Sequence, residues 1–523
     1  MTTQPHMKNI HLKIVLAVLP FALLSLNASA QVPVIEWQRS LGGTAQDWAH
    51  SIAQTSDSGF IVAGGSASNN GDVTGDHGGS DYWVVKLDAT GAVDWQVALG
   101  GTAYDVATSI KQTTDGGYIV AGASSSNDGD VTGNHGNQDY WVVKLTSTGT
   151  LQWQRSLGGT ENDFASSIEQ TTDGGYIVAG VSASTNGDIT GSHGQWDYWV
   201  VKLTGTGAIE WQKALGGTSD ERAHSIIQTA DGGYIVAGWT ESNNGDVTGN
   251  HGGSDIWMVK LSGTGAVEWQ SALGGTGGDF AKSVEQTADG GYIVAGESNS
   301  NDGDVTGDQG GFDYWVLKLT GTGTIEWQKT LGGTANDFGS CIEQTADGGY
   351  IVAGSSGSSD GDVSDNHGIL DIWVVKLSST GTIDWQKALG GTAHDGAYSI
   401  KQTIDGGYIL AGLSGSNDGD VTGNHGDYDY WVVKLSGSSP TSIERNTPLI
   451  SCSIYPNPAE TYIWIETAAT TTGVPFRLID VAGRTVLRGA LYQGTSRVDV
   501  SHLVEGVYSV EILGSKPQKL VKR

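Results

Sequence analysis

The chain contains few cysteines, few positive charges and no long apolar stretch beyond its start. Only Cys341 and Cys452 occur in 523 residues, which is too few for a disulfide framework, and we expect both thiols to be unpaired. Lysine and arginine number 27 against 57 aspartate and glutamate, a formal net charge of -30. This excess argues against a nucleic-acid or anionic-membrane partner, because both carry negative phosphate charge.

The chain also lacks the short motifs of several enzyme classes. It has no P-loop, no zinc-ligand spacing and no Gly-x-Ser-x-Gly step. No segment shows sustained helical periodicity. The pattern therefore favours an all-β protein and offers no catalytic residue.

Residues 1–30 have the composition of a secretory signal peptide. Lys8 and Lys13 precede an apolar run from residue 14 to residue 26, and Ala28-Ser29-Ala30 supplies small residues for cleavage. The run is shorter than a membrane-spanning helix needs, and no other stretch approaches its length. We expect a mature chain that starts at Gln31, is exported and has no transmembrane segment.

A unit of 58 residues repeats without insertions along most of the chain. The 80 glycines fall at fixed places in each unit, which indicates turns and not disorder. A Trp-Gln step recurs at Trp37, Trp95, Trp153, Trp211, Trp269, Trp327 and Trp385, and a second tryptophan at Trp83, Trp141, Trp199, Trp257, Trp315, Trp373 and Trp431. A fixed period of this kind predicts a repeat architecture.

Each unit predicts four short strands, a to d. In the first full unit they are residues 107–113, 117–122, 140–145 and 151–157, and strand b is apolar on both faces, so neighbouring units must cover it. The chain begins with a d strand at residues 35–38 and its last unit ends at strand c. The first strand can therefore complete the last unit. This predicts a closed seven-bladed β-propeller over residues 31–436, with an open solenoid as the alternative.

The repeat resembles known propeller families. The pattern Leu145-x-x-Thr148-Gly149-x-x-x-Trp153 with Gly158-Gly159 resembles the tryptophan-docking motif of quinoprotein-type propellers. The run Asp-Gly-Gly-Tyr-Ile-Val-Ala-Gly at residues 115–122 resembles other bacterial propeller repeats. The resemblance covers residues 34–435 and implies architecture, not an activity.

A second domain follows a linker at residues 437–450. Residues 451–523 carry Tyr455-Pro456-Asn457-Pro458, Asp480 with Gly483-Arg484, Gly506-Val507-Tyr508 and a basic end at Lys522-Arg523. Short alternating strands fit a small β-sandwich. The ordered motifs resemble the C-terminal sorting domain of type IX secretion cargo. The resemblance implies the type IX secretion machinery as a partner, and release or attachment at the cell surface after removal of the domain.

Aspartates recur in the long loop between strands b and c. Calcium takes six to eight oxygen ligands, several of them carboxylates. No glutamate closes the loop as in an EF-hand, and Asx-type turns explain the same residues. The calcium candidates are Asp72, Asp130, Asp188, Asp246, Asp304, Asp362 and Asp420; no other cofactor is expected.

The same loop carries one histidine in six of the seven units. Gln309 replaces the histidine in the remaining unit. The replacement favours a loop-stabilising hydrogen bond over a metal ligand. Recurrent Lys and Asp side chains are likewise expected to be structural, because an active site is one asymmetric constellation.

Departures from the repeat are the best candidates for ligand binding. Arg222, Trp239 and Glu241 gather in the fourth unit, and Trp48 and Trp196 are further extra tryptophans. A tryptophan beside polar groups suits a sugar ring, whereas drift among copies is the alternative. We expect a monomeric binding or adhesion module for a glycan or surface polymer. The alternatives are a polysaccharide lyase or hydrolase at the channel mouth, and a scaffold without a discrete ligand.

Overall fold

The computed structural model describes residues 32–437, 452–467, 474–479, 485–491, 494–512 and 518–523. The predicted signal peptide, and the linker after residue 437, lie outside these residues. The chain divides into two compact units, Met1–Pro440 and Thr441–Arg523. Every regular element of the described residues is a β-strand.

The first unit contains 28 strands in seven four-stranded sheets, which we name blades I to VII in chain order. Strand β1 is Ile35–Leu41. Blade I is β2 (Asp47–Gln54), β3 (Phe60–Ser66), β4 (Asp81–Leu87) and β5 (Val93–Leu99). Blade II is β6 (Asp105–Gln112), β7 (Tyr118–Ser124), β8 (Asp139–Leu145) and β9 (Leu151–Leu157). Blade III is β10 (Asp163–Gln170), β11 (Tyr176–Ser182), β12 (Asp197–Leu203) and β13 (Ile209–Leu215).

The later blades repeat this order. Blade IV is β14 (Glu221–Gln228), β15 (Tyr234–Thr240), β16 (Asp255–Leu261) and β17 (Val267–Leu273). Blade V is β18 (Asp279–Gln286), β19 (Tyr292–Ser298), β20 (Asp313–Leu319) and β21 (Ile325–Leu331). Blade VI is β22 (Asp337–Gln344), β23 (Tyr350–Ser356), β24 (Asp371–Leu377) and β25 (Ile383–Leu389). Blade VII is β26 (Asp395–Gln402), β27 (Tyr408–Ser414), β28 (Asp429–Leu435) and the N-terminal β1.

The predicted ring closure is confirmed. Strand β1 pairs antiparallel with β28, with Leu41 opposite Tyr430 and Ile35 opposite Leu435. Blade VII also meets blade I, since the Asp47 N–H donates to the Tyr428 carbonyl at 2.7 Å. The chain therefore closes as a seven-bladed propeller and not as a solenoid. Strand d of the first full unit was predicted correctly, whereas strand a begins two residues earlier than expected, because Asp105 pairs with Ser124.

Aromatic side chains hold each blade against the next. The strand c tryptophans are buried, and the Trp141 ring centroid lies 4.5 Å from that of Tyr82 in the preceding blade. The Trp141 indole N–H donates to Gln154 Oε1 at 2.9 Å, which explains the recurrent Trp-Gln step. Strand d tryptophans dock on the next blade's turn: a Cβ at Gly149, where φ is +79°, would lie 2.7 Å from the Trp95 ring. Glycine is needed there on both counts.

The C-terminal unit has two antiparallel sheets over one core. The first sheet is β29 (Cys452–Tyr455), β30 (Tyr462–Thr467) and β33 (Gly494–Asp499). The second is β32 (Thr485–Leu491), β31 (Val474–Ile479), β34 (Gly506–Ile512) and β35 (Gln518–Lys522), in that order. Ile463, Leu478 and Leu520 are among the buried residues between them. Two sheets around one apolar cluster form a small sandwich. Asp480, Gly483 and Arg484 of the sorting motif lie outside the described residues.

Candidate functional site: the upper channel mouth

The propeller has two chemically different faces. The turns that join strands a to b and c to d lie at one end of every blade, which we call the lower face. The loops that join b to c and the bends that join one blade to the next lie at the other end, which we call the upper face. The innermost strands, β2 to β26 in steps of four, surround the central channel. Each face carries its own set of recurrent charged residues.

The recurrent lysines form structural clamps on the lower face. Lys202 Nζ lies 3.0 Å from Asp173 Oδ2 and 2.9 Å from Glu210 Oε2, and it donates to the Leu203 carbonyl at 3.2 Å. The Thr171 hydroxyl bond, opposed by partial desolvation, and then the Gly175 N–H and the Lys202 ammonium lower the pKa of Asp173 to about 2. These groups join the turns of one blade. Equivalent lysines are Lys86, Lys144, Lys260, Lys318, Lys376 and Lys434.

Pairs of buried carboxyl groups occupy the blade junctions on the upper face. A Cβ at Gly158 would lie 2.6 Å from Asp139 Oδ1 and 2.7 Å from Asp163 Oδ2. Asp163 Oδ2 accepts the Gly159 N–H at 2.8 Å and the Ser184 hydroxyl at 2.9 Å. Desolvation raises the pKa of both Asp139 and Asp163. The bend glycine thus lets two strands from different blades bring their carboxyl groups together.

The loop histidines connect neighbouring blades. His135 Nδ1 lies 2.6 Å from Asp139 Oδ2 in its own blade, and His77 Nε2 lies 3.8 Å from Asp130 in the next blade. In blade V the Gln309 amide donates to Asp362 Oδ2 at 2.8 Å, which makes the same link without an imidazole. These geometries explain why glutamine can replace histidine in one copy.

The calcium candidates lie one to a blade and face N–H donors. The Gly100 N–H lies 3.4 Å from Asp130 Oδ2, and Asp128 accepts the Thr102 N–H at 2.8 Å. These backbone contacts join the loop to the preceding bend. Within the described part of the chain no group of three or more His, Cys, Asp or Glu side chains is arranged to hold a metal ion. Calcium binding at these seven aspartates, which would need six to eight oxygen ligands, stays a prediction.

Six aromatic residues and one arginine form a continuous arc over blades III to VI at the upper mouth of the channel. The successive centroid or guanidinium-to-ring distances are 5.7, 5.1, 5.5, 5.5, 6.0 and 6.1 Å. Every member is partly exposed. The members of this aromatic arc, in order of contact, are Phe164, Trp196, Arg222, Trp239, Phe280, Phe312 and Phe338.

Three of the five sequence candidates come together in the arc. Trp196 and Trp239 lie on either side of the Arg222 guanidinium. Exposed Glu241 accepts the Ser254 hydroxyl at 3.3 Å, at the start of the blade IV loop. Trp48 lies in blade I, beside Gly65.

Sequence reasoning missed the four phenylalanines of the arc. They occupy the second residue of strand a and the residue before strand c, positions at which other blades carry the aromatic Trp48, Trp196 and Tyr428 or side chains of other kinds. Aligning the seven units at those two positions would have exposed the aromatic bias. Reading each unit by itself did not.

Charged side chains from three neighbouring blades also form ion pairs in the channel. Lys401 Nζ of blade VII lies 3.1 Å from Glu285 of blade V and 3.8 Å from Glu343 of blade VI. Desolvation opposes the charge, but these two carboxylates raise the pKa of Lys401. Burial also raises the pKa of Glu343. All three residues lie near the ends of their strands, beside the turns that join a to b, and so at the lower end of the channel.

Comparisons with known proteins give a family-model match and a relative of detectable sequence identity. Residues 453–523 match the family model of the secretion system C-terminal sorting domain. The regulatory protein FlaEY of Caulobacter vibrioides is 26% identical over 346 residues, 57% of this chain and 35% of that protein. The match thus spans about a third of the relative's length.

Solved structures resemble the chain in fold. The WD40 domain of Neurospora crassa Pan2 has a TM-score of 0.42 at 10% identity and covers 76% of this chain and 95% of that one. PorZ, a bacterial surface component of the type-IX secretion system of Porphyromonas gingivalis, has a TM-score of 0.40 at 11% identity, with coverage of 92% and 60%. Within the described residues no helix has the length and apolar character needed to cross a membrane. Residues 453–523 are a type IX secretion C-terminal sorting domain, and they follow an all-β unit that is a seven-bladed propeller.

Proposed function

We propose that this protein is an exported, monomeric binding module that presents its aromatic arc to an extracellular glycan or surface polymer. The observation that carries the proposal is the unbroken contact chain from Phe164 to Phe338 at one side of the channel mouth. The same positions in blades I and II are mostly small or polar, for example Gly65, Ser80 and Gln138. The arc therefore gives a symmetric ring one chemically distinct side.

Repeat positions elsewhere are used by the fold. The strand c tryptophans are buried, and the recurrent lysines are paired on the lower face. The arc residues are partly exposed instead. Aromatic faces beside a few polar groups suit sugar rings, which have an apolar face and a polar edge. A folded ring does not need these residues, because blade II packs with Val106, Ala123 and Gln138 at the same positions.

The sorting domain supports delivery to the cell surface or the extracellular space. We expect two cleavages, one after Ala30 and one between Leu435 and Ile454. Intact-mass spectrometry of the exported protein tests both positions. Surface material that still ends at Arg523 would contradict removal of the sorting domain.

Binding is tested with the purified exported protein against a panel of soluble polysaccharides by affinity electrophoresis. Trp239→Ala should weaken binding by about fivefold or more, since stacking on one aromatic ring contributes on the order of 1 kcal/mol or more. Ile404→Ala is the matched control: Ile404 is 84% exposed, but its turn lies on the lower face. Both variants must keep the parent's melting temperature.

The same samples separate the rival functions. Release of new reducing ends during incubation would show a polysaccharide lyase or hydrolase and overturn the binding-module proposal. Absence of binding to every polymer would favour a scaffold. Light scattering checks the monomer, because a dimer that covers the arc would place a second copy there instead of a glycan.

A further inference from the structure

The guanidinium group of Arg222, within the arc, has a nitrogen without a hydrogen-bond partner. The Arg222 guanidinium carbon lies 5.1 Å from the Trp196 ring centroid and 5.5 Å from that of Trp239. Its NH2 group lies 3.8 Å from Asp220 Oδ2, and its buried Nε has no hydrogen-bond partner. Arginine always presents Nε as a donor. The Nε–H donor of Arg222 therefore lies between two indole rings, which fix its direction, and it lacks an acceptor.

A second unpartnered nitrogen lies two residues further along the same strand. His224 Nε2 is buried and has no hydrogen-bond partner. Among the described residues, the only other buried side-chain nitrogen of this kind is Trp385 Nε1, in blade VI. Burial lowers the pKa of His224 well below its ordinary value, and Lys282 and Arg222 lower it further. A neutral imidazole has one N–H donor, and in the tautomer that protonates Nε2 this donor lacks an acceptor.

The neighbouring blade adds a second positive charge. Lys282 Nζ lies 5.6 Å from the Phe280 ring centroid and 3.4 Å from Glu297 Oε1. An ammonium group has three N–H donors, so one carboxylate at that distance leaves others free. Arg222 and Lys282 both influence His224 electrostatically. Three nitrogen-bearing side chains thus lie on the neighbouring first strands of blades IV and V and influence one another electrostatically.

We propose that Arg222, His224 and Lys282 form an anion subsite within the arc, which binds the carboxylate of an acidic sugar residue while its ring packs on Trp239. The inference rests on the proposed function and names its ligand class. A planar guanidinium matches a carboxylate. The chain's charge of -30 opposes an acidic polymer at a distance. At 0.15 M salt the Debye length is about 8 Å, so the local donors decide binding.

The probe is polygalacturonate, compared with its methyl ester. The two polymers share a backbone, but the ester has no free carboxylate. We expect the exported protein to bind polygalacturonate at least tenfold more tightly at 0.15 M salt. A sulfated galactan in a third arm distinguishes carboxylate from sulfate as the source of the anion. Preference for the sulfated polymer over polygalacturonate would overturn the carboxylate assignment.

The variants assign the preference to residues. Arg222→Met should remove the preference for polygalacturonate, and Arg222→Lys should restore only part of it because an ammonium lacks the planar fork. Arg155→Met is the matched control, since Arg155 also lies over a tryptophan, 5.8 Å from the Trp153 ring centroid, but in an outermost strand. If Arg222→Met lowers the melting temperature, Lys282→Met takes its place, with the same expected loss.

The possible failures are distinguishable. Equal binding of both polymers, or an unchanged preference in Arg222→Met and Lys282→Met, would overturn the anion subsite and leave the binding module intact. No binding of either polymer, or of any other glycan, would overturn both proposals.

Discussion

The Tyr430 hydroxyl in the last blade donates to the Trp83 carbonyl in the first blade at 2.9 Å. Their rings also pack, with centroids 4.6 Å apart. The contact joins residues 347 positions apart in the chain, and the same bond recurs from Tyr82 to Trp141 between blades I and II. Ring closure therefore uses the same interaction as any other junction.

Tyr430→Phe should lower the free energy of unfolding by about 1 kcal/mol, since it removes one buried hydrogen bond and keeps the ring. The loss should stay modest because Ile256 and Ile372 stand at this position in blades IV and VI. Urea denaturation measures it. Tyr398→Phe, at a tyrosine that is 39% exposed, should change nothing; equal effects of the two variants would contradict a specific closing bond.

Deletion of residues 34–41 should lower the melting temperature and promote aggregation. It removes β1 and exposes the hydrogen-bonding edge of β28. Calorimetry and light scattering measure the effect. The control is a permutant that carries the same eight residues after Leu435, joined by a short linker, which should recover the parent's melting temperature. An unchanged melting temperature in the deletion variant would exclude β1 as a closing strand.

Gly149→Ala should destabilise the protein more than Gly116→Ala. Both glycines have φ near +80°, at +79° and +81°, so the backbone strain of alanine is matched. Only at Gly149 does the new methyl meet the Trp95 ring, at 2.7 Å; at Gly116 it meets nothing within 4 Å. The difference between the two free energies of unfolding, from chemical denaturation, isolates tryptophan docking. Equal losses would mean that docking contributes nothing.

Stability should rise as the pH falls from neutral towards about 4.5. Burial raises the pKa of Asp81 to about 6 and that of Asp313 to about 7, above about 3.9 in the unfolded chain. The stability that these groups contribute is present below the unfolded value and is lost as the pH rises through the folded values. The aspartates that pair with the recurrent lysines have the opposite effect. Asp173, with a pKa of about 2, stabilises the fold above the unfolded pKa, and this contribution is lost as the pH falls towards 2. Melting temperatures from pH 3 to 8 give the profile.

Two variants at blade V test the cause of that profile. Asp313 has no histidine partner, and Asp308 raises its pKa further. Gln309→His should supply the missing imidazole and reduce the loss of stability between pH 6 and 8. Asp313→Asn removes the titrating carboxyl group and should also reduce the loss of stability between pH 6 and 8. A profile unchanged in both variants would show that the carboxyl pair at this junction does not control it.

The sequence predicted the ring because each local signal recurs seven times. The period, the four strand patterns and the unpaired first strand together favoured closure over an open solenoid, and β9 runs over the predicted residues. The start of strand a was missed because Asp105 resembles a turn residue in sequence. In the fold it extends the strand while its carboxylate accepts the Gly101 N–H at 2.8 Å and the Ser126 hydroxyl at 2.8 Å.

The loop aspartates show a limit of reasoning from composition. A run with Asp128 and Asp130 offers oxygens that suit either calcium or a turn. The tertiary structure brings the Thr102 and Gly100 N–H groups of the preceding bend to those carboxylates. These donors are backbone groups 26 and 30 residues away, which the composition of the loop does not reveal, and calcium binding at the loop stays a prediction.

The sequence by itself determined the repeat, its closure and the export domain, because these depend on local periodicity and contiguous motifs. Only the tertiary structure decided which irregular residues share a surface. Trp196 ends a loop of blade III and Arg222 belongs to a strand of blade IV, yet they meet because the ring places the lead-in to one blade's third strand beside the next blade's first. Phe312 and Phe338 meet in the same way, and Phe280 joins the arc through Trp239 of the preceding blade. The contact follows from how blades pack around the channel, which no single 58-residue unit contains.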